Sequence, residues 1–265
     1  MTQNREPVSL LWTGGWDSTY RLLDLLLVKK REVQPYYVID SERLSTRLEI
    51  NRMKQIKRRL FKKNPNTISL LKATVFTEMF DIEQNSAITQ SFNRLSEKYH
   101  FGSQCEWLAR FCSQYGIASM ELSFERGVAV TAYQDALKDF LVQTEYGGEI
   151  CWKVDDKYKG SDMYQIFGYY RFPIFDLTKK DMERISIALS FDELMKLTWF
   201  CHKPRRFSMP CGLCVPCVTT IKEGLQRRVP FRSRLRYYLH ALPPKIGVFF
   251  GGEELAALIR TCSIK

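Results

Sequence analysis

Short apolar runs alternate with longer amphipathic stretches along the first half of the chain. The short runs predict β-strands, and the stretches with a period near 3.6 residues predict helices. The predicted strands are 8–12, 33–40, 67–76 and 117–124. The predicted helices are 17–30, 45–63 and either 86–98 or 103–115. This alternation predicts βαβ units, and therefore an α/β fold with a mostly parallel, doubly wound sheet.

The second half of the chain is more helical and less alternating. Two stretches carry the pattern of a capping box, a hydroxyl residue followed three positions later by an acidic one. The pairs are Thr178 with Asp181 and Ser190 with Glu193. We therefore divide the chain into an α/β domain at 1–175 and a helical region at 176–265. No Gly/Ser-rich linker separates the two, so we expect the helical region to be a small appendage on the sheet domain.

Length and composition fit a globular protein with a substantial core, because 45% of the 265 residues are hydrophobic. The first residues lack an apolar leader. The apolar run LLDLLLV is interrupted by Asp24 and is too short to cross a bilayer. We expect a soluble, cytoplasmic protein with no membrane partner. The sequence leaves the oligomeric state open, a homodimer included.

The chain is basic, with 40 Lys and Arg against 29 Asp and Glu and a formal net charge of +11. This charge favours a polyanionic partner, such as ATP, a nucleic acid or an acidic protein. Much of the excess lies in 51–63 and 226–236. In 51–63 the apolar residues recur with a helical period, so we expect the charges on the solvent side of an amphipathic helix. Nucleic acid is therefore an alternative that we do not favour.

The segment LLWTGGWDSTYRLL, residues 10–23, places two glycines between a predicted strand and a predicted helix. Such a turn lies at the carboxyl edge of the sheet, where α/β folds bind ligands. Gly14 and Gly15 let the backbone approach a bulky anion. The hydroxyls of Ser18 and Thr19 add donors at the positive end of the helix dipole. The loop therefore predicts a phosphate site.

Two other phosphate loops do not fit this segment. A P-loop ends in Gly-Lys-Ser/Thr, which is absent here, and the dinucleotide fingerprint needs a third glycine. Asp17 beside phosphates is understandable as a Mg²⁺ ligand, because the cation offsets charge repulsion. The alternative is a tight turn in which Asp17 or Ser18 caps the helix.

Two residues outside the loop have weaker claims to a ligand role. Asp40, at the carboxyl end of the second predicted strand, could bind metal or nucleotide, or could be a turn residue. Trp107, on a predicted helix, could stack on a purine base, although core packing is the role we favour for it.

Four cysteines in the helical region have the spacing of a metal site. They are Cys201, Cys211, Cys214 and Cys217. Four thiolates can enclose a Zn²⁺ ion tetrahedrally, and a glycine at 212 permits the tight turn around it. A closed site of this kind has no open coordination position, so the zinc would stabilise the helical region rather than take part in chemistry.

Three alternatives to this zinc site remain open. His202 could replace Cys201 as a ligand, although four cysteines make a simpler site. An iron–sulfur cluster of the ferredoxin type would need a fourth cysteine at position 221, where the chain has Ile221. The cysteines could also be buried side chains that bind no metal. Disulfide bonds between them are disfavoured in a reduced cytosol.

The segment from Thr13 to Thr19 resembles the Ser-Gly-Gly-x-Asp-Ser-Ser/Thr loop of the PP-loop, or N-type, ATP pyrophosphatases, with Thr13 in place of Ser. That resemblance implies a Rossmann-like, adenine nucleotide alpha-hydrolase-like fold whose loop grips the pyrophosphate of ATP. It implies cleavage between the α- and β-phosphates with transfer of AMP, and Asp17 and Ser18 as catalytic residues. The residues expected to contact the nucleotide are Trp12, Thr13, Gly14, Gly15, Asp17, Ser18, Thr19 and Asp40.

The order of motifs narrows the resemblance. PIFDLTKKDM at 173–182 and then TWFC and CGLCVPC follow the loop, as in the 7-cyano-7-deazaguanine synthase (QueC-like) family, to which the chain is similar over residues 8–225. This resemblance implies a ligase that adenylates the carboxylate of 7-carboxy-7-deazaguanine and carries a structural zinc. The family has Gly-Arg-Asn and Tyr-Pro-Asp-Cys-Arg motifs near its base substrate, and both are missing from 100–111 and 125–140. The resemblance therefore supports adenylation more strongly than nitrile formation.

The pattern is most similar to the QueC-like enzymes of antiphage defence systems. That resemblance implies that an acyl-adenylate is attacked by ammonia or by an amine of a partner protein. Three alternatives stay open: a 7-cyano-7-deazaguanine synthase of queuosine biosynthesis, a PP-loop enzyme that modifies tRNA, and a non-catalytic module that binds nucleotide and zinc.

Overall fold

Five short parallel strands form the central sheet of the protein, whose computed structural model describes residues 6–127 and 135–241. The strands of this sheet are β1 Val8–Leu11, β2 Val33–Ile39, β3 Val75–Glu78, β4 Met120–Glu121 and β7 Tyr170–Arg171, and two further strands, β5 Leu141–Tyr146 and β6 Glu149–Val154, form a separate pair. The α-helices are α1 Trp16–Leu23, α2 Thr46–Lys63, α3 Ser86–Ser96, α4 Gln104–Gln114, α5 Asp162–Phe167, α6 Lys179–Ala188, α7 Asp192–Met195, α8 Val215–Lys222 and α9 Phe231–Ala241. Within these ranges no helix is both long and apolar enough to span a bilayer.

The sheet has the strand order β3-β2-β1-β4-β7, and helices cover both of its faces. Alternate residues of a strand point to opposite faces, so Val8 and Leu10 of β1 pack with α1, α2, α6 and α7. Tyr36 and Val38 of β2 pack on the other face with α3, α4 and α5. The predicted α/β fold with a parallel sheet is confirmed, because all four neighbouring strand pairs of this sheet are parallel.

Most predicted elements form, and helices appear in both stretches between which the sequence left a choice. The prediction of an amphipathic helix at 45–63 is confirmed, since Met53, Ile56 and Leu60 of α2 are buried. The capping box at Thr178 is also confirmed, because the Asp181 N–H donates to the Thr178 hydroxyl and the Thr178 N–H donates to the Asp181 carboxylate.

Three local predictions are wrong. The strand expected at 67–76 begins only at Val75, because Pro65 starts a 3₁₀ turn after α2 and the chain remains in turns up to residue 70. The strand expected at 117–124 is limited to Met120–Glu121. Ser190 caps no helix, since its φ of 61° takes the backbone into the left-handed region and α7 begins two residues later.

An antiparallel hairpin, β5–β6, lies outside the central sheet and was not predicted. Gly147 and Gly148, with φ of 64° and 86°, form the left-handed turn that joins its strands. Trp152 of β6 exchanges two backbone hydrogen bonds with Phe172, so the hairpin is attached beside the last parallel strand. The sequence signal for it is EYGGE, a Gly-Gly pair between two stretches of β-forming residues.

A buried ion cluster ties the first helix to the sheet and to this hairpin. The Arg21 guanidinium of α1 is only 1% exposed and donates to both carboxylate oxygens of Glu121, at 2.7 and 2.9 Å. It also donates to Asp24, at 2.8 Å, and to Glu149 of the hairpin, at 3.1 Å. One buried cation therefore satisfies carboxylates from three separate elements.

The helices that follow residue 175 share the core of the sheet. Met182 of α6 and Leu194 of α7 belong to the same buried cluster as Leu10 of β1. A second, smaller cluster surrounds the cysteines and includes Trp199. The helical region is thus packed against the strands that carry the glycine loop.

We predict that replacing Arg21 by Met lowers the free energy of unfolding by about 3–5 kcal/mol, because it leaves Glu121 buried without a cation. Urea denaturation monitored by circular dichroism measures this loss. The matched control is Arg94→Met, which removes an exposed guanidinium that is paired with Asp162 in the same two-pronged way. The control should cost only a small fraction of the Arg21 loss, and equal losses would contradict a special role for the buried cluster.

Candidate functional site

The glycine loop between β1 and α1 has a geometry that only glycine adopts without strain at its first position. Gly14 has a φ of 70°. A Cβ there would lie 3.0 Å from Met53 Cγ and 3.2 Å from the Glu49 carbonyl oxygen on α2. Its own carbonyl accepts a hydrogen bond of 3.0 Å from the Trp199 N–H. The loop is therefore held between α2 and the segment that leads to the cysteines.

The residues expected to contact a nucleotide divide into two groups. The side chains of Trp12 and Thr19 are fully buried, and the Trp12 indole N–H donates to the Thr19 hydroxyl at 3.0 Å. Neither side chain is thus available to a ligand. The remaining residues line one cleft: Thr13, Gly15, Asp17, Ser18 and Asp40. Gly14 lies between Thr13 and Gly15 and shapes the loop.

This cleft has a volume of 470 Å³ and lies at the carboxyl ends of β1, β2 and β4. The strand order reverses between β1 and β4, which is the topological switch point where open α/β sheets bind ligands. Trp107 of α4 lines the cleft, and so does Ser123, whose buried hydroxyl has no hydrogen-bond partner among the described residues. An unsatisfied hydroxyl in a cleft is a donor available to a bound molecule.

The loop keeps its own hydroxyls close together. The Thr13 N–H donates to the Ser18 hydroxyl oxygen at 3.3 Å, and the two hydroxyls also lie 3.3 Å apart. Helix α1 begins at Trp16 with Gly15 as its N-cap and no side-chain cap. Neither Asp17 nor Ser18 is therefore consumed as a helix cap, which leaves both available for a ligand.

A lysine that the sequence reasoning did not select lies beside Asp17. Lys179 Nζ is 2.5 Å from Glu125 Oε1, 2.9 Å from Glu223 Oε2 and 4.0 Å from Asp17 Oδ1. These four residues, which we call the Lys179 cluster, come from α1, the segment after β4, α6 and the end of α8. Its only sequence signal was the Thr-Lys pair within PIFDLTKKDM.

The electrostatics of the Lys179 cluster favour protons on Asp17 and Glu125. Burial raises the pKa of Asp17 above its ordinary value. Burial, together with the charge of Asp17, raises the pKa of Glu125 to about 7. Burial by itself lowers the pKa of Lys179, but the charges of Asp17 and Glu125 outweigh it and the net shift is upward. Lys179 therefore stays cationic, and the three carboxylates share its single positive charge.

An arginine from the far end of the chain lies close to the same helix terminus. The Arg228 guanidinium carbon is 4.5 Å from the Trp16 ring centroid and 5.0 Å from that of Phe200. Its Nη2 donates to the carbonyl and the hydroxyl of Thr198, at 3.1 and 2.5 Å. Burial lowers the pKa of Arg228 to about 10, so it remains charged at neutral pH.

The four predicted metal ligands are brought together. All four sulfur atoms of Cys201, Cys211, Cys214 and Cys217 lie within 4.8 Å of one another. The Cys211–Cys217 and Cys201–Cys214 sulfur distances are 3.9 and 3.8 Å. A tetrahedral ion with metal–sulfur bonds of about 2.3 Å would set its sulfurs about 3.8 Å apart. The group could therefore hold a metal ion such as zinc.

The backbone around the cysteines supports thiolates. The Cys211 N–H donates to Cys201 Sγ, and the Cys214 N–H donates to Cys211 Sγ, at 3.1 and 3.2 Å. Gly212 has a φ of 87°, and a Cβ there would lie 2.1 Å from the Ser233 carbonyl oxygen of α9. The tight turn expected at this glycine is confirmed, and α9 packs directly against it.

No protein-family model matches the chain, and no curated protein is significantly similar to it.

We predict that Glu125→Gln becomes more stable relative to the wild type as the pH rises from 5 to 8. Between pH 4.5 and a pH of about 7 the folded protein retains a proton on Glu125 that the unfolded chain has lost, so the wild type loses stability as the pH increases through this range. The variant lacks this titration. Melting temperatures at both pH values measure the difference, with the exposed Glu97→Gln as control. A difference that is constant with pH would contradict the raised pKa.

Proposed function

We propose that the protein is an ATP-dependent ligase of the PP-loop type, which activates a carboxylate as an acyl-adenylate and releases pyrophosphate and AMP. The observation that carries this proposal is the Gly14–Gly15 loop at the switch point of the sheet, with Asp17 and Lys179 beside it. A loop of main-chain donors at a helix N-terminus suits the pyrophosphate group of ATP. The strand order supports the Rossmann-like fold that the sequence resemblance implies.

Different groups around the loop would have different roles in binding ATP. The N–H groups of the loop and the hydroxyls of Thr13 and Ser18 donate to phosphate oxygens. The Lys179 ammonium neutralises charge that develops on the departing pyrophosphate. Gly15 carries no side chain, so the phosphates can approach the backbone of the cleft.

Asp17 fits the Mg²⁺ ion that such a reaction requires. Its Oδ1 is buried and accepts no hydrogen bond from the part of the chain that the structure describes, and carboxylate oxygens are the ligands that Mg²⁺ prefers. Bound Mg²⁺ would draw charge from the phosphate oxygens and hold them in line for displacement. Glu125 and Glu223 hold the Lys179 ammonium close to Asp17 and so position both charges at the phosphates.

The reaction that the resemblance implies balances without any further reactant. A carboxylate oxygen of the acid bonds to the α-phosphorus of ATP, and the bond to the bridging oxygen of the β-phosphate breaks, which releases pyrophosphate. An amine then bonds to the acyl carbon, AMP leaves with the bonding electron pair, and the amine loses one proton. We assign no general base, because positioning and charge neutralisation supply the catalysis.

We propose 7-carboxy-7-deazaguanine as the acid and ammonia or a partner protein's amine as the nucleophile, as part of antiphage defence. The departures from the family's base-binding motifs favour conjugation over nitrile synthesis. Of the relevant stretch 125–140, residues 128–134 lie outside the described part of the chain. Trp107, which lines the cleft, is available to stack on the adenine.

A tRNA-modifying PP-loop enzyme is the second candidate, and the surface of α2 favours it. Its exposed residues include the basic side chains Arg47, Lys54, Arg58 and Lys62, spaced along one side of the helix. The helix has a single acidic residue, Glu49, and it is buried. A surface of this kind suits a phosphate backbone, and tRNA binding that weakens steeply with salt would favour this candidate.

We propose that the four-cysteine site holds structural zinc. With four protein ligands no coordination position is left for a substrate, so the ion would stabilise the segment 199–217 and not take part in the reaction. Because the Trp199 N–H bonds to the Gly14 carbonyl, this segment also supports the glycine loop.

We predict about one zinc ion per purified chain, and no visible iron–thiolate absorption. Cys214→Ser should lose most of the metal and melt at a lower temperature, as measured by plasma mass spectrometry and calorimetry. Cys112→Ala, at a buried cysteine outside the site, should retain the metal. Stoichiometric iron in a brown protein would contradict the zinc assignment.

We predict that the wild-type protein converts ATP to AMP and pyrophosphate in the presence of the acid and Mg²⁺. Asp17→Asn should lower turnover on the order of a hundredfold, whereas the exposed Asp81→Asn should not change it. Gly15→Ala should lower turnover without unfolding the chain, because its φ of −73° suits any residue and the added methyl enters the cleft. Chromatography of the nucleotides measures the products, and release of ADP would contradict the proposal.

A further inference from the structure

A second cavity, of 660 Å³, lies beside Trp16, the first residue of α1 after the glycine loop, and the proposed ATP site does not use it. Trp16 lines this cavity, whereas its neighbours Gly15 and Asp17 line the cleft. A ligand in the cavity would therefore lie one residue along the chain from the expected phosphate site. Its volume is within the range of about 300–1,000 Å³ that is typical of small-molecule sites.

The walls of the cavity suit a flat ring. Trp199 and Phe200 lie with their ring centroids 6.1 Å apart and their planes at 25°. Trp16 forms a further aromatic wall. Trp16 is 5% exposed, and its buried indole N–H has no hydrogen-bond partner within residues 6–127 and 135–241. Large aromatic walls with an unsatisfied N–H favour a planar ligand that carries hydrogen-bond acceptors.

Two arginines at the cavity carry charges that no salt bridge with a described carboxylate neutralises. Arg228 bonds to Thr198 and contacts two aromatic rings, and Arg52 bonds to Gln55 and lies 5.8 Å from the Trp199 ring centroid. Among the described residues, neither arginine has a carboxylate within 4.0 Å. The other two cations of the cavity are already paired, Arg227 with Glu183 and Lys196 with Asp192. A guanidinium that is desolvated against aromatic rings without an anion favours the binding of an anion.

We infer that this cavity binds the acid substrate, a planar heteroaromatic ring with a carboxylate, and that Arg228 pairs with the carboxylate. The assignment of the ligand as a substrate rests on the proposed function. The ring would stack against Trp199 and Phe200 and accept a hydrogen bond from the Trp16 N–H. The carboxylate would lie at Arg228, whose charge interacts with Asp17, and so beside the phosphate that it attacks.

A nucleoside monophosphate offers the same chemistry, a planar base with an anionic group, so the experiment must separate the two sources. The probes are 7-carboxy-7-deazaguanine, 7-deazaguanine, which lacks the carboxylate, and AMP. Isothermal titration calorimetry measures each dissociation constant for the full chain without ATP. Exchange of labelled pyrophosphate into ATP measures adenylation on the same preparations.

Arg228→Met should weaken binding of the acid at least tenfold and leave binding of 7-deazaguanine unchanged. Arg52→Met should act in the same direction by a smaller factor, and it removes a side chain whose only described hydrogen bond is to Gln55, so the fold is not at risk. Arg184→Gln, an exposed arginine on α6, is the matched control and should bind all probes as the wild type does. Zinc content and melting temperature confirm that each variant is folded.

Acid binding that is unchanged in both Arg228→Met and Arg52→Met would overturn the inference. It would also be overturned if only AMP binding depended on Arg228, because the cavity would then hold a nucleotide phosphate. Arg228-dependent acid binding without pyrophosphate exchange in the wild type would support the binding site and contradict the proposed ligase. Exchange with no dependence of acid binding on Arg228 would support the ligase and contradict the site.

Discussion

A single main-chain hydrogen bond, from the Trp199 N–H to the Gly14 carbonyl, joins the two parts of the chain that carry chemistry. Gly14 can present this carbonyl because its positive φ turns the backbone away from the direction that a strand would take. Trp199 is fixed in turn by its indole N–H, which donates to the Cys201 carbonyl at 2.8 Å. The cysteine group and the glycine loop therefore depend on one another, although nearly 200 residues separate them.

The charges around the loop are unbalanced in two opposite senses. Carboxylates are in excess on one side of it, and arginines are in excess on the other. At the Lys179 cluster three carboxylates share one ammonium. At the second cavity, Arg228 and Arg52 form no salt bridge with a carboxylate among the described residues, although the charge of Asp17 acts on Arg228. Unpaired buried charge is costly for a fold, so such an arrangement is typical of a place where a ligand supplies the missing charge. The Mg²⁺ ion of a bound nucleotide would supply positive charge at the Lys179 cluster. The carboxylate of an acid would supply negative charge at the second cavity.

The stability of this arrangement comes from elsewhere in the sheet. Arg21 ties α1, β4 and the hairpin through one buried cation whose partners are all satisfied. Helix α1 therefore has a rigid anchor one turn after the loop, while the residues at its N-terminus remain available for a ligand. Separating the satisfied charges from the unsatisfied ones allows the site to be preorganised without unfolding the protein.

The sequence by itself determined the features that depend on neighbours along the chain. The parallel α/β fold, the turn at Gly14 and Gly15, the amphipathic α2 and the spacing of the four cysteines all follow from local periodicity or from residue types a few positions apart. Most of the strand expected at 67–76 does not form, because the β-forming residues there lie in turns after Pro65. Tertiary contacts override the local preference of these residues for a strand. Only the tertiary structure brought Lys179, Glu125 and Glu223 to Asp17, and Arg228 to Trp16. These residues come from segments tens to hundreds of positions apart, so no local pattern links them, and their charges acquire their partners only when helices α1, α6 and α8 pack together.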